Sequence, residues 1–324
     1  MISSTTSLLA PVENDLRILT DNLKKLIGAR HPILGAAAEH LFEAGGKRIR
    51  PAIVLLVSRA TMSDHDITHR HRRLAEITEM IHTASLVHDD IVDEADLRRN
   101  VETVHKLFDN RIAVLAGDFL FAQSSWYLAN LDNLQVVKLL SEVIRDFAEG
   151  EILQGLNLFD TSASIDSYLD KSYYKTASLM ANSAKAAGVL SEVDPEIAES
   201  LYSYGRNLGL AFQIVDDILN FTGSTEVLGK PAGSDLASGN LTAPVLYALE
   251  QKPYLEILIE REFSKEDDIN KALELIKESD GIEKSRELAA NHARMAAQNL
   301  SCLAPSDSTQ ALNELTDYAV SRLY

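Results

Sequence analysis

The stretch His82-Thr-Ala-Ser-Leu-Val-His-Asp-Asp-Ile-Val-Asp93 decides how the rest of the chain is interpreted. Its apolar residues, and those just before it, recur at helical spacing, which predicts a packed helix. At about 3.6 residues per turn, Asp89 and Asp93 lie one above the other with Asp90 beside them. Three carboxylates on a mostly apolar helix repel one another and lose hydration when buried. The pattern therefore favours a cation bound between them.

The stretch Phe212-Gln-Ile-Val-Asp-Asp-Ile-Leu-Asn220 repeats this pattern further along the chain. It is apolar and helix-like, and Asp216, Asp217 and Asn220 fall on adjacent rungs. Oxygen ligands of this kind suit Mg²⁺, which takes one or two carboxylates and completes its shell with water and substrate phosphates. Two facing carboxylate ends therefore predict a socket for a magnesium–diphosphate.

The composition predicts a globular, helix-rich protein. The chain has 324 residues, 46% of them hydrophobic, with only 15 Gly and 8 Pro to interrupt helices. The formal net charge of −17 argues against nucleic acid or anionic lipid as a main partner. Cys302, the single cysteine, excludes an internal disulfide framework and fits a reducing compartment. No apolar run approaches the roughly 18 residues of a membrane helix, so we expect no transmembrane segment.

Helical spacing predicts a series of long helices with no clear domain boundary. Their ranges are 11–27, 33–44, 74–93, 113–128, 136–158, 165–190 and 198–221, with one opening near Pro51 and several after Leu241. The polar connection before the central helix contains His65, His69 and His71. We interpret it as a floppy loop rather than a metal site, because no cysteine or regular ligand spacing accompanies the histidines.

Three groups of cations are candidates for anion binding. In Gly45-Gly-Lys-Arg-Ile-Arg-Pro51, cations sit at a helix start, where backbone amides also favour anions; an ordinary basic loop is the alternative. Arg98 and Arg99 could each form paired hydrogen bonds with a phosphate group, or they could be ordinary surface cations at the end of a helix. Lys175 lies among apolar residues and needs an anionic partner or a path to solvent.

Five motifs stand in order along the chain: GGKRIRP, VHDDIVDEADLRRN, the Lys175-Thr176 pair, FQIVDDILN and GKPAGSDLASGN. With them the chain resembles the all-trans polyprenyl diphosphate synthases, most closely the long-chain, solanesyl-type enzymes of cyanobacteria and plastids. The resemblance weakens beyond about Glu250. It implies an all-α fold, a single large helical bundle of the isoprenoid synthase type around a central cavity. One domain would span residues 1–324, with a flexible N-terminus of about ten residues.

The resemblance implies a Mg²⁺-dependent prenyltransferase. It would condense isopentenyl diphosphate with an allylic prenyl diphosphate, repeatedly, to a long-chain all-trans polyprenyl diphosphate that serves as a quinone side-chain precursor, releasing diphosphate. The family is usually homodimeric. We expect a cytoplasmic location, or the stroma for a plastid-encoded chain, with loose membrane association for product release.

Each site residue takes its role from this resemblance. The resemblance implies that the metal is bound by Asp89, Asp90, Asp93, Asp216 and Asp217, and that the allylic diphosphate is contacted by Arg98, Lys175 and Lys230. It implies that isopentenyl diphosphate is bound by Lys47, Arg50, His82 and Arg99. It also implies that oxygen atoms are turned toward the allylic carbocation by Thr176 and Gln213.

Product length is argued from the helix turn before the first aspartates. Ala84 and Ser85 are small there, whereas a bulky residue stops growth early in this family, so we predict a long product. Met80, Phe121 and Trp126 are candidates for the floor of the tunnel, although each also suits an ordinary core.

Three residues depart from the family pattern. Asn220 replaces the last aspartate of the second motif, and Asn100 and Glu102 stand where glycine and proline are usual. We hypothesise that activity survives with a raised Mg²⁺ requirement, because an amide oxygen reaches a metal or its water without charge.

Three other classes of protein share single features with this chain. A class I terpene cyclase needs Ser/Thr and Glu where this chain has Asn220 and Ser224. A di-iron carboxylate bundle needs two Glu-x-x-His pairs, which Glu79-x-x-His82 and Glu102-x-x-His105 match formally. A non-catalytic subunit of a heteromeric synthase usually lacks the intact first motif that this chain keeps.

Overall fold

Helices account for nearly all the regular structure of the chain. The computed structural model describes residues 8–43, 45–62, 66–223 and 233–323. Its helices are α1 Glu13–Ile27, α2 Pro32–Glu43, α3 Ile49–Thr61, α4 His69–Val92, α5 Val104–Leu107, α6 Asn110–Ala129, α7 Leu134–Leu156, α8 Ile165–Ser172, α9 Ser178–Leu190, α10 Pro195–Thr222, α11 Ser234–Ala237, α12 Ala243–Leu249, α13 Pro253–Glu260, α14 Asp268–Lys277, α15 Gly281–Gln298 and α16 Asp307–Ser321. A short hairpin pairs β1 Leu97–Arg98 with β2 Val101–Glu102. The all-α prediction is confirmed.

The chain divides into two compact units, each built from separate stretches of sequence. Unit 1 comprises Met1–Ile144, Leu179–Tyr202 and Leu300–Glu314, and unit 2 comprises Arg145–Ser178, Ser203–Asn299 and Leu315–Tyr324. In unit 1, α4 packs along α6 and against α3. In unit 2, the apolar face of Ile214, Val215 and Ile218 joins a core formed with α12 and α15. The single-domain interpretation stays a prediction.

The central helix α4 begins earlier than its apolar spacing predicts, and the floppy-loop interpretation of His71 is wrong. Thr68 caps the helix: its backbone N–H lies 3.2 Å from His71 Nδ1, and the two side chains also meet. His71 Nε2 contacts the Ser191 hydroxyl at 3.1 Å. The imidazole is fully buried, whereas His69 at the start of the helix is exposed. His65 lies outside the described residues.

The buried His71 should make stability depend on pH. Burial lowers the pKa of His71 to about 4, from 6.5 in the unfolded chain. Between these values only the unfolded chain binds the proton, so stability is complete above pH 6.5 and falls as the pH drops toward 4. At about 1.4 kcal/mol per unit, the loss approaches roughly 3 kcal/mol. Urea unfolding midpoints measured from pH 7.5 to 4.5 should therefore fall less steeply in His71→Gln than in the wild type.

A matched control for this measurement lies two residues away. His69→Gln removes an imidazole from the same helix, but from its exposed side. It should leave the pH slope of the wild type in place. If His69→Gln and His71→Gln had the same slope as the wild type, the buried imidazole would not be the source of the pH dependence.

The predicted helix over residues 165–190 is interrupted. Between α8 and α9 the backbone forms a π-helical turn, Tyr173–Ala177, which contains Lys175 and Thr176. Such turns insert one residue into a helix and occur frequently at functional sites. Apolar spacing alone did not predict the insertion, because it indicates a helical segment but not the hydrogen-bond pattern of a single turn within it.

Helix α6 carries an exposed apolar face. Val114 is 41% exposed, Leu115 48% and Trp126 60%. By length and composition alone, α6 is the one helix among the described residues that could cross a membrane, a test that core helices of soluble proteins also pass. Trp126 is therefore not a core residue in the isolated chain, contrary to one interpretation of the sequence.

Candidate active site

The first carboxylate set, Asp89, Asp90 and Asp93, lies at the C-terminal end of α4 in unit 1. Asp89 is half-buried, Asp90 is buried, and Asp93 is exposed at the helix cap. Asp90 Oδ1 accepts a hydrogen bond of 2.7 Å from Arg98 Nε. Asp90 Oδ2 is buried without a hydrogen-bond partner among the described residues. This orphaned oxygen is the kind of atom that a bound cation would satisfy.

Burial dominates the electrostatics of Asp90. It raises the pKa of the carboxyl, and the nearby Asp93 raises it further, whereas Arg98 lowers it. A buried carboxylate with one unsatisfied oxygen is costly in the absence of a cation. The residues present therefore fit a divalent metal.

The hairpin after α4 explains one departure from the family pattern. Arg99 and Asn100 form its two-residue turn, with φ of 53° and 63°. Two consecutive positive φ values are typical of a type I′ turn, and Asn tolerates this conformation better than most residues that carry a Cβ. Asn100 therefore replaces the usual glycine, and the hairpin turn still forms. The same turn holds Arg98 toward Asp90.

A basic cluster of Lys47, Arg50, His82 and Arg99 surrounds the start of α3. Arg50 Nη1 lies 3.1 Å from His82 Nε2, and Arg99 donates to the carbonyl of Gly45. Gly46, at φ 145°, leaves room for the Arg99 guanidinium, since a Cβ there would lie 2.5 Å from Nη1.

His82 is neutral within this basic cluster. Burial lowers its pKa well below 6.5, and the charges of Arg50 and Arg99 lower it further. The cluster therefore concentrates arginine charge in a protein that is acidic as a whole. It suits a multiply charged anion.

Arg48 has a structural role instead. It pairs with the buried Glu79 and donates to the carbonyl of Phe42 at 3.0 Å. The di-iron alternative fails on the same contact, because Glu79 is held by Arg48 and Glu102 lies in β2 rather than in a helix.

The second carboxylate set, Asp216 and Asp217, lies on α10 in unit 2. Asp217 is buried and accepts hydrogen bonds from Tyr168 at 2.5 Å and from Gln213 Nε2 at 2.9 Å. Burial raises its pKa to about 7, against the effect of these two donors. The Asp216 side chain is 53% exposed and pairs with Arg322 near the C-terminus. The two aspartates therefore differ sharply in access to solvent.

The Lys175-Thr176 pair lies on the π-helical turn. Lys175 Nζ pairs with Glu151 at 2.7 Å and contacts Gln154 at 3.0 Å, so the lysine has the anionic partner that its apolar surroundings require. Thr176 Oγ1 donates to Gln213 Oε1 at 2.7 Å. The carbonyl oxygen of Gln213 is therefore engaged by Thr176.

Asn220 follows the second carboxylate set on α10. It is buried, its amide nitrogen donates to Ser234 Oγ at 3.0 Å, and its Oδ1 has no hydrogen-bond partner among the described residues.

Lys230 and Ser224 lie outside the described residues. Among the residues that are described, no three carboxylate, imidazole or thiolate groups form a cage for a metal ion. Mg²⁺ rarely needs such a cage, since water and phosphates complete its shell.

The predicted chain-length residues differ in packing. Ala84 is fully buried, whereas Ser85 is half-buried and donates to the carbonyl of His82 at 2.9 Å. Of the candidate floor residues, Met80 is fully buried and Phe121 is half-buried. Ser85 is thus the small residue of the two that is partly exposed.

Three comparisons with known proteins bear on these residues. The model of the polyprenyl synthetase family matches residues 31–276. The chain belongs to the polyprenyl synthetase family. It is similar to a prenyl transferase of Synechocystis, 73% identical over 99% of both chains. It is also similar to solanesyl diphosphate synthase 1, chloroplastic, of Arabidopsis thaliana, 55% identical over 99% of this chain and 80% of that one.

The structural comparison agrees. A polyprenyl synthase of Caulobacter crescentus, solved with calcium and isoprenyl diphosphate, matches 100% of this chain and 99% of its own with a TM-score of 0.91 and 36% identity. As a polyprenyl synthetase, the protein is a prenyltransferase that condenses isopentenyl diphosphate with an allylic diphosphate. The predicted family, fold and activity are confirmed.

Two contacts of this polyprenyl synthetase were missed in the sequence. Tyr168 lies 49 residues from Asp217, and Arg322 lies 106 residues from Asp216. Neither belongs to a recognisable motif. A doubled aspartate in an apolar helix does signal that donors must exist elsewhere, but not which residues supply them.

Proposed function

We propose that this polyprenyl synthetase makes a long, solanesyl-type all-trans product as a quinone side-chain precursor, with Mg²⁺ as its metal. The observation that carries the proposal is the arrangement of unit 1, where Asp90, a buried carboxylate with an orphaned oxygen, lies on the same helix as His82 of the basic cluster. The relatives named solanesyl diphosphate synthase support the product class.

The basic cluster binds isopentenyl diphosphate. Arg50 and Arg99 supply fixed positive charge, and neutral His82 adds a hydrogen bond. Arg98, Lys175 and Lys230 bind the allylic diphosphate. For Lys175 this requires exchanging Glu151 for a phosphate oxygen.

The carboxylates of both sets serve as metal ligands. When bound, Mg²⁺ supplies positive charge that stabilises the departing diphosphate. Asp90 Oδ2 and the exposed Asp216 are the best-suited oxygens. The relative solved with calcium and isoprenyl diphosphate supports a divalent cation in this family.

Condensation then needs little covalent chemistry from the protein. The allylic C–O bond breaks and releases diphosphate, the double bond of isopentenyl diphosphate attacks the resulting cation, and the adduct loses a proton to the released diphosphate. The Thr176 hydroxyl donates its hydrogen bond to Gln213, so its oxygen lone pairs are available to stabilise the cation. Apolar side chains keep out water, which would capture the cation.

The exposed apolar face of α6 suits a second copy of the chain. Val114, Leu115 and Trp126 would be covered in a homodimer, and such symmetric contacts are the commonest in oligomers.

The predicted location in the cytoplasm or plastid stroma is supported by relatives named chloroplastic and by one from a cyanobacterium. Loose membrane association for product release belongs to the same proposal.

One incubation tests the product class. Purified protein receives isopentenyl diphosphate, a farnesyl or geranylgeranyl primer and Mg²⁺, and dephosphorylated products are sized by mass spectrometry. A ladder ending in a long all-trans chain is expected. A short product would keep the reaction and overturn the product length, and no product would indicate a subunit that needs a partner.

Asn220→Asp should lower the Mg²⁺ requirement. The buried Oδ1 of Asn220 has no partner among the described residues, so a charged oxygen there would add attraction for a cation. We expect the Mg²⁺ concentration for half-maximal activity to fall several-fold, measured by diphosphate release. Ser234→Ala, which removes only the partner of the amide nitrogen, is the control and should not lower it. An unchanged Mg²⁺ dependence in Asn220→Asp would refute the hypothesis of a raised requirement.

A further inference from the structure

The hydroxyl of Tyr168 is one of the most enclosed polar groups near the second carboxylate set. Tyr168 is 3% exposed and Asp217 is 4% exposed, and their oxygen atoms lie 2.5 Å apart. The tyrosine stands in α8, just before the π-helical turn that holds Lys175 and Thr176. It therefore links the second carboxylate set to that turn.

The directions of the hydrogen bonds follow from chemistry. An Asp217 that binds a metal ion is ionised and only accepts, so Tyr168 must then donate to Oδ2 and the amide NH₂ of Gln213 to Oδ1. The other end of the Gln213 amide is then its oxygen, which can only accept, so Thr176 must donate to it. Four side chains form one chain with a single consistent set of proton positions.

Two donors on opposite oxygens fix the rotation of the carboxylate. The terminal torsion of aspartate is otherwise broad, so an aspartate held at only one oxygen can turn about the bond to its carboxyl group. With Oδ2 held by Tyr168 and Oδ1 by Gln213, the remaining lone pairs of Asp217 point in defined directions. The ring of Tyr168 is itself held in the core of unit 2, and Lys171 Nζ lies 5.9 Å from its centroid.

We propose that Tyr168 is a positioning residue for metal binding: its hydroxyl orients the Asp217 carboxylate and, through Gln213, the hydroxyl of Thr176. The inference rests on the proposed function, which makes Asp217 a metal ligand. Tyr168 itself touches neither metal nor substrate. Its role is the orientation that residues behind metal ligands commonly supply, and losing such a partner typically costs about 10- to 100-fold in metal affinity.

Tyr168→Phe tests the proposal, because it removes one oxygen and keeps the ring. Tyr204→Phe is the matched control, since Tyr204 is a fully buried tyrosine of the same unit and lies on α10, the helix that carries Asp217. Binding of Mn²⁺ in the presence of inorganic diphosphate, followed by electron paramagnetic resonance, gives a readout independent of turnover. Thermal melts show whether each variant is folded.

We expect Tyr168→Phe to bind Mn²⁺ about 10- to 100-fold more weakly than the wild type, and Tyr204→Phe to bind it equally well. The KM for isopentenyl diphosphate should stay unchanged, because no residue of the basic cluster belongs to the hydrogen-bonded chain of Tyr168, Asp217, Gln213 and Thr176. Mn²⁺ affinity in Tyr168→Phe equal to that of the control would overturn the proposal.

A second variant covers the case in which Tyr168→Phe does not fold. Gln213→Met removes the donor to the other oxygen of Asp217 and should weaken Mn²⁺ binding to a similar degree. Unchanged binding in that variant would overturn the proposal as well. Failure of the proposed function is distinguishable, since it would appear as absence of the long prenyl product in the wild type itself.

Discussion

Asp90→Asn should lower the kcat for condensation by roughly 10²- to 10³-fold, the loss typical when one preorganised electrostatic group is removed from an active site. The substitution keeps the shape of the side chain but removes the charge that would hold a cation. It also places an amide where Oδ1 accepts from Arg98, so the guanidinium loses its charged partner. Release of diphosphate at saturating substrate and Mg²⁺ measures the effect.

Asp90→Asn should not lower the stability of the protein, although it lowers the activity. Burial raises the pKa of Asp90, which means that the folded protein disfavours its charge. Neutral Asn removes that cost, so the thermal midpoint should not fall with kcat. An inactive variant with a much lower midpoint would mean instead that Asp90 supports the fold.

The control for this prediction lies in the loop that follows. Asp96 makes an exposed ion pair of 2.7 Å with Lys106, and such surface pairs contribute little to stability. Asp96→Asn changes the net charge by the same amount as Asp90→Asn. It should leave kcat near the wild-type value, and equal losses in both variants would point to a general charge effect.

Local patterns predicted those parts of the site that lie within one helix. The spacing of apolar residues placed Asp89, Asp90 and Asp93 on a helix, and the structure has them on α4. The order of five motifs predicted the family, which the comparisons confirm. The apolar spacing and each motif extend over a short stretch of sequence, in which neighbouring residues determine each other's positions.

The remaining features depend on partners distant in sequence or on backbone details. The cap of α4 uses His71 where Glu or Gln is usual, so the common capping signature is absent. The π-helical turn is a single turn within a segment of helical spacing, and that spacing does not determine the hydrogen-bond pattern of one turn. Tyr168 and Arg322 reach the second carboxylate set through tertiary packing, which no local pattern encodes.

Asn100 shows how a departure from a family pattern can preserve geometry. From sequence alone, Asn in place of Gly left the arginine loop undefined. The structure gives Asn100 a φ of 63°, in the left-handed region that Asn reaches at small cost. Arg98 consequently keeps its contact with Asp90. Knowledge of the turn type would have been needed to predict this from the sequence.

Ser85→Phe should shorten the product by several five-carbon units while the first condensation keeps a rate of the same order as in the wild type. The proposed product grows along α4 past this residue, one turn before Asp89. Ser85 is half-buried, so we expect a phenyl ring at this position to extend from its exposed side and obstruct the growing tail without displacing the core. Mass spectrometry of dephosphorylated products measures the length, and Ser85→Thr is the size-matched control that should keep the ladder long.

Ala84→Phe separates a steric stop from a packing defect. Ala84 is fully buried, so a ring at this position overpacks the interior and should destabilise the protein by about 1–3 kcal/mol. Ser85→Phe should change the urea midpoint less than Ala84→Phe does, because Ser85 is only half-buried. If Ser85→Phe made the same long ladder as the wild type at normal stability, the tail would not pass Ser85. The small residues before the first carboxylate set would then not determine product length.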